Sequence, residues 1–221
     1  MTRRGRGNGG GRGRAAALRR VARSLVLGLV VALTGCGATP TQPRPPPPCP
    51  TTPVVASSQE SLDALAACTE LPGLTIRSAA HLDLTPLAGL ATIRGELLIG
   101  PTFALDRVAL PGLVTVEGRL AIVSGGSLGG IFLPALVRVG ALEIRDDGAL
   151  AEIIAPRLAT VVGAVTILRV SALELVDLSA LATVGTDLTV AAPNLATWLG
   201  DPPTVAGTRT LATPSLTPPA P

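Results

Sequence analysis

Aromatic residues are nearly missing from this 221-residue chain: Phe103, Phe132 and Trp198 are all it has, and there is no tyrosine. Surfaces anchored on aromatic side chains, a common kind of binding hot spot, have little to draw on. Histidine is as scarce, with His81 alone. The three cysteines, Cys36, Cys49 and Cys68, contain no C-x-x-C pair, so neither a redox motif nor a Cys/His metal set is suggested. A hydrolytic triad would need His81 to converge with Asp83 and a serine on an oxyanion hole. No serine sits in a nucleophile-elbow motif, and His81 reads as a surface or coil-edge residue. Asp146-Asp147-Gly148 offers two adjacent carboxylates without further oxygen ligands and reads as a turn rather than a calcium site. The expectation is no enzyme, no cofactor and no metal.

Acidic residues are absent from the first 35 positions, which carry 8 of the 18 basic residues. From Cys36 onward there are 10 Arg against 15 Asp plus Glu, a net charge of −5. The overall pI near 9.3 therefore belongs to the N-terminal segment, and no nucleic-acid partner is expected. That segment has a basic start, the apolar run Leu25–Leu33 and then small residues, the layout of an export signal. The apolar run is too short to span a bilayer permanently. Leu33-Thr34-Gly35-Cys36 looks like a bacterial lipobox, in which Cys36 becomes the lipidated, palmitate-bearing first residue of the mature chain. Gly37 follows where an Asp would signal inner-membrane retention. This points to an outer-membrane or cell-surface protein whose partner is the membrane, through the anchor. The domain plan is a signal peptide over 1–35, a Pro-rich linker over 36–54, a solenoid with its cap over 55–199 and a disordered Pro/Thr-rich tail over 200–221.

A leucine pattern fills the middle. The pairs Leu74/Ile76, Leu97/Ile99, Leu120/Ile122, Leu142/Ile144, Val165/Ile167 and Leu188/Val190 recur every 22 or 23 residues. A second series (Leu105, Leu128, Leu150, Leu173, Leu195) and a third (Leu90, Leu113, Leu136, Leu158, Leu181) keep the same beat, each with a bulky apolar residue three positions on. Such a period means a solenoid that buries each coil against its neighbours. The L-x-I pairs are period two, hence strands with the middle residue outward. Gly95, Gly118, Gly140, Gly163 and Gly185 suit corners where the backbone is crowded or φ positive. Pro111, Pro134 and Pro156 suit corners because proline cannot donate to a ladder. The fold class is mainly β: a short right-handed parallel β-helix or leucine-rich solenoid of about five to six coils, with a short N-terminal capping helix.

Once Cys36 is lipidated, Cys49 and Cys68 remain as an even pair for a disulfide in an oxidising compartment. Between them Ser57 stands three residues before Glu60, a capping-box spacing, and predicts a helix over 58–67 across the open end of the first coil.

The run Cys68-Thr69-Glu70-Leu71-Pro72-Gly73-Leu74-Thr75-Ile76, followed by the repeat, resembles the receptor L-domain. That domain is a right-handed leucine-rich β-helix of the insulin and epidermal growth factor receptors, with similar repeats in fungal cell-wall proteins and bacterial lipoproteins. The resemblance covers about residues 68–199. The Asn that often opens a segment in that family is replaced here by Ala104, Ser127, Ala149 and Ala172, and kept once, as Asn194. The resemblance implies binding or scaffolding rather than catalysis.

If a partner binds, the outward strand positions are the place. Leu98, Ala121, Val123 and Leu168 form an apolar strip around Glu143 and Arg145, with an envelope protein or polysaccharide as the candidate partner. Two other readings are a carbohydrate-active envelope enzyme, which needs clustered carboxylates on one face, and a spacer or adhesin without a discrete ligand.

Overall fold

The structure, a computed structural model, describes residues 48–213. The residues read as a signal peptide and lipobox, Cys36 among them, most of the expected linker and residues 214–221 lie outside the described residues.

Every strand pairing is parallel, and the period read from the leucines sets the register. Eight strands stack in the principal column: Val54–Ala56, Leu74–Ser78, Leu97–Thr102, Thr115–Val123, Arg138–Arg145, Val165–Leu168, Leu188–Ala191 and Arg209–Ala212. Leu74 lies on Leu97, then Leu120, Leu142, Val165 and Leu188, so the six pairs share one register. Eight strands make seven coils, more than the five to six expected. The additions come from both ends. Val54 pairs with Leu74 ahead of the helix, so the linker stops short of residue 54. Arg209 pairs with Leu188, so the stretch after 199 holds a further coil rather than only tail. Its short strands Thr204–Val205 and Arg209–Ala212 escape a leucine pattern because only Val205 and Leu211 pack on the core, and Arg209, at the register position of Leu188, is exposed.

The second series forms a separate five-stranded sheet: Arg107–Ala109, Gly130–Phe132, Glu152–Ile154, Leu175–Asp177 and Thr197–Leu199. Trp198 lies on Val176 and packs half-buried against the end of the core. The third series supplies short strands at the next corner, with Ile93, Val116, Val139, Val161 and Val184 stacked in turn. The inward residues of all three series make one continuous core, and the L-x-I pairs from Leu74 to Val190 are at most 4% exposed. Burying such a side chain is worth about 1.5–3 kcal/mol, so the stacked columns supply the main stabilisation.

The corner glycines are there for space, not for positive φ. A Cβ at Gly185 would meet the Val162 carbonyl oxygen at 1.8 Å, and one at Gly140 the Glu117 oxygen at 2.3 Å. The backbone of successive coils touches here, with the Gly163 amide donating to Gly140 O at 2.6 Å. Positive φ instead occurs at Ser124 (55°), Asp146 (62°) and Arg169 (54°), which follow the principal strands in three successive coils.

The N-terminal cap is shorter than expected. The helix runs Gln59–Asp63, and its N-cap is Ser58 rather than Ser57. Ser58 Oγ accepts from the Ser61 amide at 3.3 Å while Ser61 Oγ accepts from the Ser58 amide at 3.1 Å. The capping box thus closes on Ser61 and not on Glu60. After Asp63 the chain tightens into i→i−3 bonds (Ala66 N to Asp63 O, Cys68 N to Leu65 O), which bring Cys68 to Cys49. The two cysteines form a disulfide across a Cα–Cα distance of 5.6 Å. Leu62 and Leu65 are buried against the first coils. The Gln59 amide clips the Asp83 backbone in both directions, at 3.1 and 2.8 Å. Among the described residues, no helix is long and apolar enough to cross a membrane.

Gly185→Ala and Gly89→Ala separate space from propensity. Nothing lies within 4 Å of a Cβ at Gly89, whereas Gly185 meets backbone. Gly185→Ala is expected to cost about 1–3 kcal/mol in denaturant unfolding, the range for overpacking, and Gly89→Ala to stay close to neutral.

Candidate functional site

The register brings the six expected face residues together as two adjacent columns. Leu98, Ala121 and Glu143 stack in one, continued by Thr166 and Thr189. Val123, Arg145 and Leu168 stack in the other, continued by Ala191. Exposure differs from the expected apolar strip. Ala121 is 1% exposed, sealed beneath its neighbours, while Leu98, Val123, Glu143 and Leu168 are half-buried and Arg145 is exposed. The more exposed apolar side chains sit elsewhere, with Phe103 at 66% and Val162 at 48%.

Glu143 stands alone among its strand neighbours in sequence, yet the structure gives both its oxygens a partner. Arg119 of the preceding coil donates to Oε2 at 2.6 Å, and Arg145 of the same strand reaches Oε1 at 2.8 Å. Arg119 also holds Glu96, one coil further back, at 2.7 Å. Glu96 and Glu143, with Arg119 beside each, hold its guanidinium above the ordinary arginine value. This Glu96–Arg119–Glu143–Arg145 chain was missed by reading outward positions alone. The available signal was that Glu96 and Arg119 both follow a corner glycine, 23 residues apart. Both oxygens of Glu143 are thus held in ion pairs with neighbouring arginines.

His81 and Asp83 do not form a dyad. Asp83 accepts from the Thr85 amide at 2.9 Å and the Thr85 hydroxyl at 2.5 Å, which hold its carboxyl below the usual range. His81 Nε2 instead faces Asp106 Oδ2 at 4.0 Å, both side chains well exposed. These groups rim an open cleft of about 350 Å³ between the 3-10 turn Thr85–Gly89 and the strand Arg107–Ala109. Arg107 also lines it, with its guanidinium over the Phe132 ring at 4.3 Å. No serine lines the cleft among the described residues.

Asp146 and Asp147 diverge. Asp146, in its bend, pairs outward with Arg169 of the next coil, which lowers its carboxyl. Asp147 is fully buried and accepts the Gly125 amide; burial outweighs that bond and pushes its carboxyl up to about 6. The turn reading of this segment therefore fits, and the two carboxylates point to different surroundings. Among the described residues no three His, Cys, Asp or Glu are placed to hold a metal ion. Ser127 and Asn194, at equivalent positions of their coils, bond carbonyls of the preceding coil, Ser127 to Phe103 O at 3.1 Å and Asn194 to Ser171 O at 2.7 Å.

Arg119→Ala removes the centre of the charge chain. Because the group is about half exposed, the expected loss is only about 0.5–1 kcal/mol at low salt, shrinking as salt is raised. Chemical denaturation at two ionic strengths measures it.

Comparison with models of protein families, with curated proteins and with solved structures finds no match.

Proposed function

We propose that the chain is a non-catalytic binding or scaffolding module held outside the cytoplasm by a lipid on Cys36. The observation that carries the reading is the Cys49–Cys68 disulfide, which stands 13 residues after the lipobox cysteine and clips the incoming chain to the cap. Disulfides persist in oxidising compartments and are rare in a reducing cytosol. The proline content of the intervening sequence is that of a spacer, which suits such an anchor. The resemblance of the repeat to receptor L-domains supports the same class of role, with a right-handed coil, and Gly37 after the lipobox cysteine supports an outer-membrane or surface location.

Within this reading, a partner protein or polysaccharide contacts the Leu98–Leu168 face, where side-chain identity changes from coil to coil while the core does not. Sealing of Ala121 and the internal pairing of Glu143 favour one alternative, a spacer or adhesin without a discrete ligand.

Cys36→Ser is expected to move the protein from the membrane fraction to the soluble fraction; continued detergent-dependent extraction would refute the anchor. Pull-downs from envelope extract then separate binding from spacing. A partner retained by the native face and lost from Leu98→Arg/Leu168→Arg, with unchanged thermal unfolding, supports binding. Identical recovery with both proteins supports the spacer.

A further inference from the structure

We propose that Asp147 is a proton-operated latch on the corner that ends the candidate face: protonated, it seats in the core, and ionised, it loosens the turn after Arg145. The proposal stands whether or not the face binds a partner.

The geometry begins with a column of inward corner positions one coil apart: Thr102, Gly125, Asp147, Val170 and Ala192. All are buried, and Asp147 is the sole ionisable side chain in the core among the described residues. Its carboxyl occupies the space that Gly125 leaves empty, since a Cβ there would lie 2.3 Å from Asp147 Oδ1. That oxygen accepts the Gly125 amide. Oδ2 is buried with no hydrogen-bond partner among the described residues. A charged oxygen without a partner in apolar surroundings is costly, and a proton removes the charge.

The charged groups around it do not supply a counter-ion. Asp146 in its own turn is of like charge and raises the carboxyl further. Arg169 of the next coil is held by Asp146, and Arg145 of the strand before is held by Glu143. The preceding coil presents Ser124, Gly125, Gly126 and Ser127, and the coil before that Thr102, none of them charged. The same corner holds positive φ at Ser124, Asp146 and Arg169. Such non-glycine conformations persist only where surrounding contacts enforce them, so a lost contact here is felt locally.

The sign is opposite to that of an ordinary surface carboxylate. The folded state holds the Asp147 proton more tightly than the unfolded chain does, with a carboxyl near 6 against 3.8. Its contribution is therefore fully present below the unfolded value and is lost as pH rises through about 6. Acid tightens this corner.

The test follows the full chain from pH 4.5 to 8 by thermal unfolding and by amide exchange protection at Gly125. Protection at Gly125 and the thermal midpoint are both expected to fall as pH rises from 4.5 and to level off above about 6. Asp147→Asn should remove that dependence and raise the thermal midpoint at pH 7.5 by roughly 3–6 °C. Asp146→Asn and His81→Gln should leave it in place, which excludes the outer ion pair and the one histidine as its source. A flat wild-type profile, or a dependence that survives Asp147→Asn, overturns the latch. Should Asp147→Asn fail to fold, the wild-type Gly125 amide shift decides: titration near 6 supports the proposal, and titration only below 4.5 contradicts it.

Discussion

Parallel backbone pairing between successive coils is the constraint on which everything else here depends. Each strand donates to and accepts from its equivalent one coil away, so residues 22 or 23 apart in sequence become neighbours in space. A side chain that points inward in one coil must then sit on an inward side chain in the next. The Leu and Ile columns follow, and so do the corner glycines, because two backbones in contact leave no room for a Cβ between them. The same rule governs the surface. Arg94 reaches Glu70, Arg119 reaches Glu96 and Glu143, and Arg169 reaches Asp146, in each case across one coil. These pairs form an outer ladder of charge parallel to the backbone ladder inside it.

That constraint also explains how much could be read from sequence. Where a coil follows the consensus, period and strand phase locate it to the residue, and Leu74 through Val190 fall in the expected register. Where a coil departs from leucine the signal fades. Arg209, exposed at the register position of Leu188, and Val54 among prolines look like flanking chain, yet each is held by pairing with the coil beside it. The helix was legible in kind but not in length, because its last turn answers to the disulfide rather than to helix propensity. Ser58 displaced Ser57 as cap because the strand runs to Ala56 and fixes where the turn begins.

The surface was less legible than the core. Alternation identifies which residues face outward, but it does not say which neighbours cover them. Ala121 is outward by phase and buried in fact. Glu143 is isolated within its column and twice paired across columns. Asp147 belongs to a turn by sequence, and only the stacked glycine beneath it reveals why a carboxyl is in the core. Function in such a molecule resides in the departures from the repeat, since the repeat itself encodes only stacking. The face between Leu98 and Leu168 and the Asp147 corner are two such departures, and they meet at Arg145-Asp146-Asp147. A proton at the corner and a partner on the face would therefore act on the same strand end.

The central claim is the register, and paired cysteines test it most directly. Thr166 and Thr189 are partners on adjacent parallel strands, while Val190 points to the other side of its strand. Strands in a sheet lie about 4.8 Å apart, close enough for an oxidised link between outward neighbours. Thr166→Cys/Thr189→Cys in the folded chain is expected to cross-link on mild oxidation, and Thr166→Cys/Val190→Cys to remain reduced. A link in the second variant with none in the first would place the coils out of register and contradict the account.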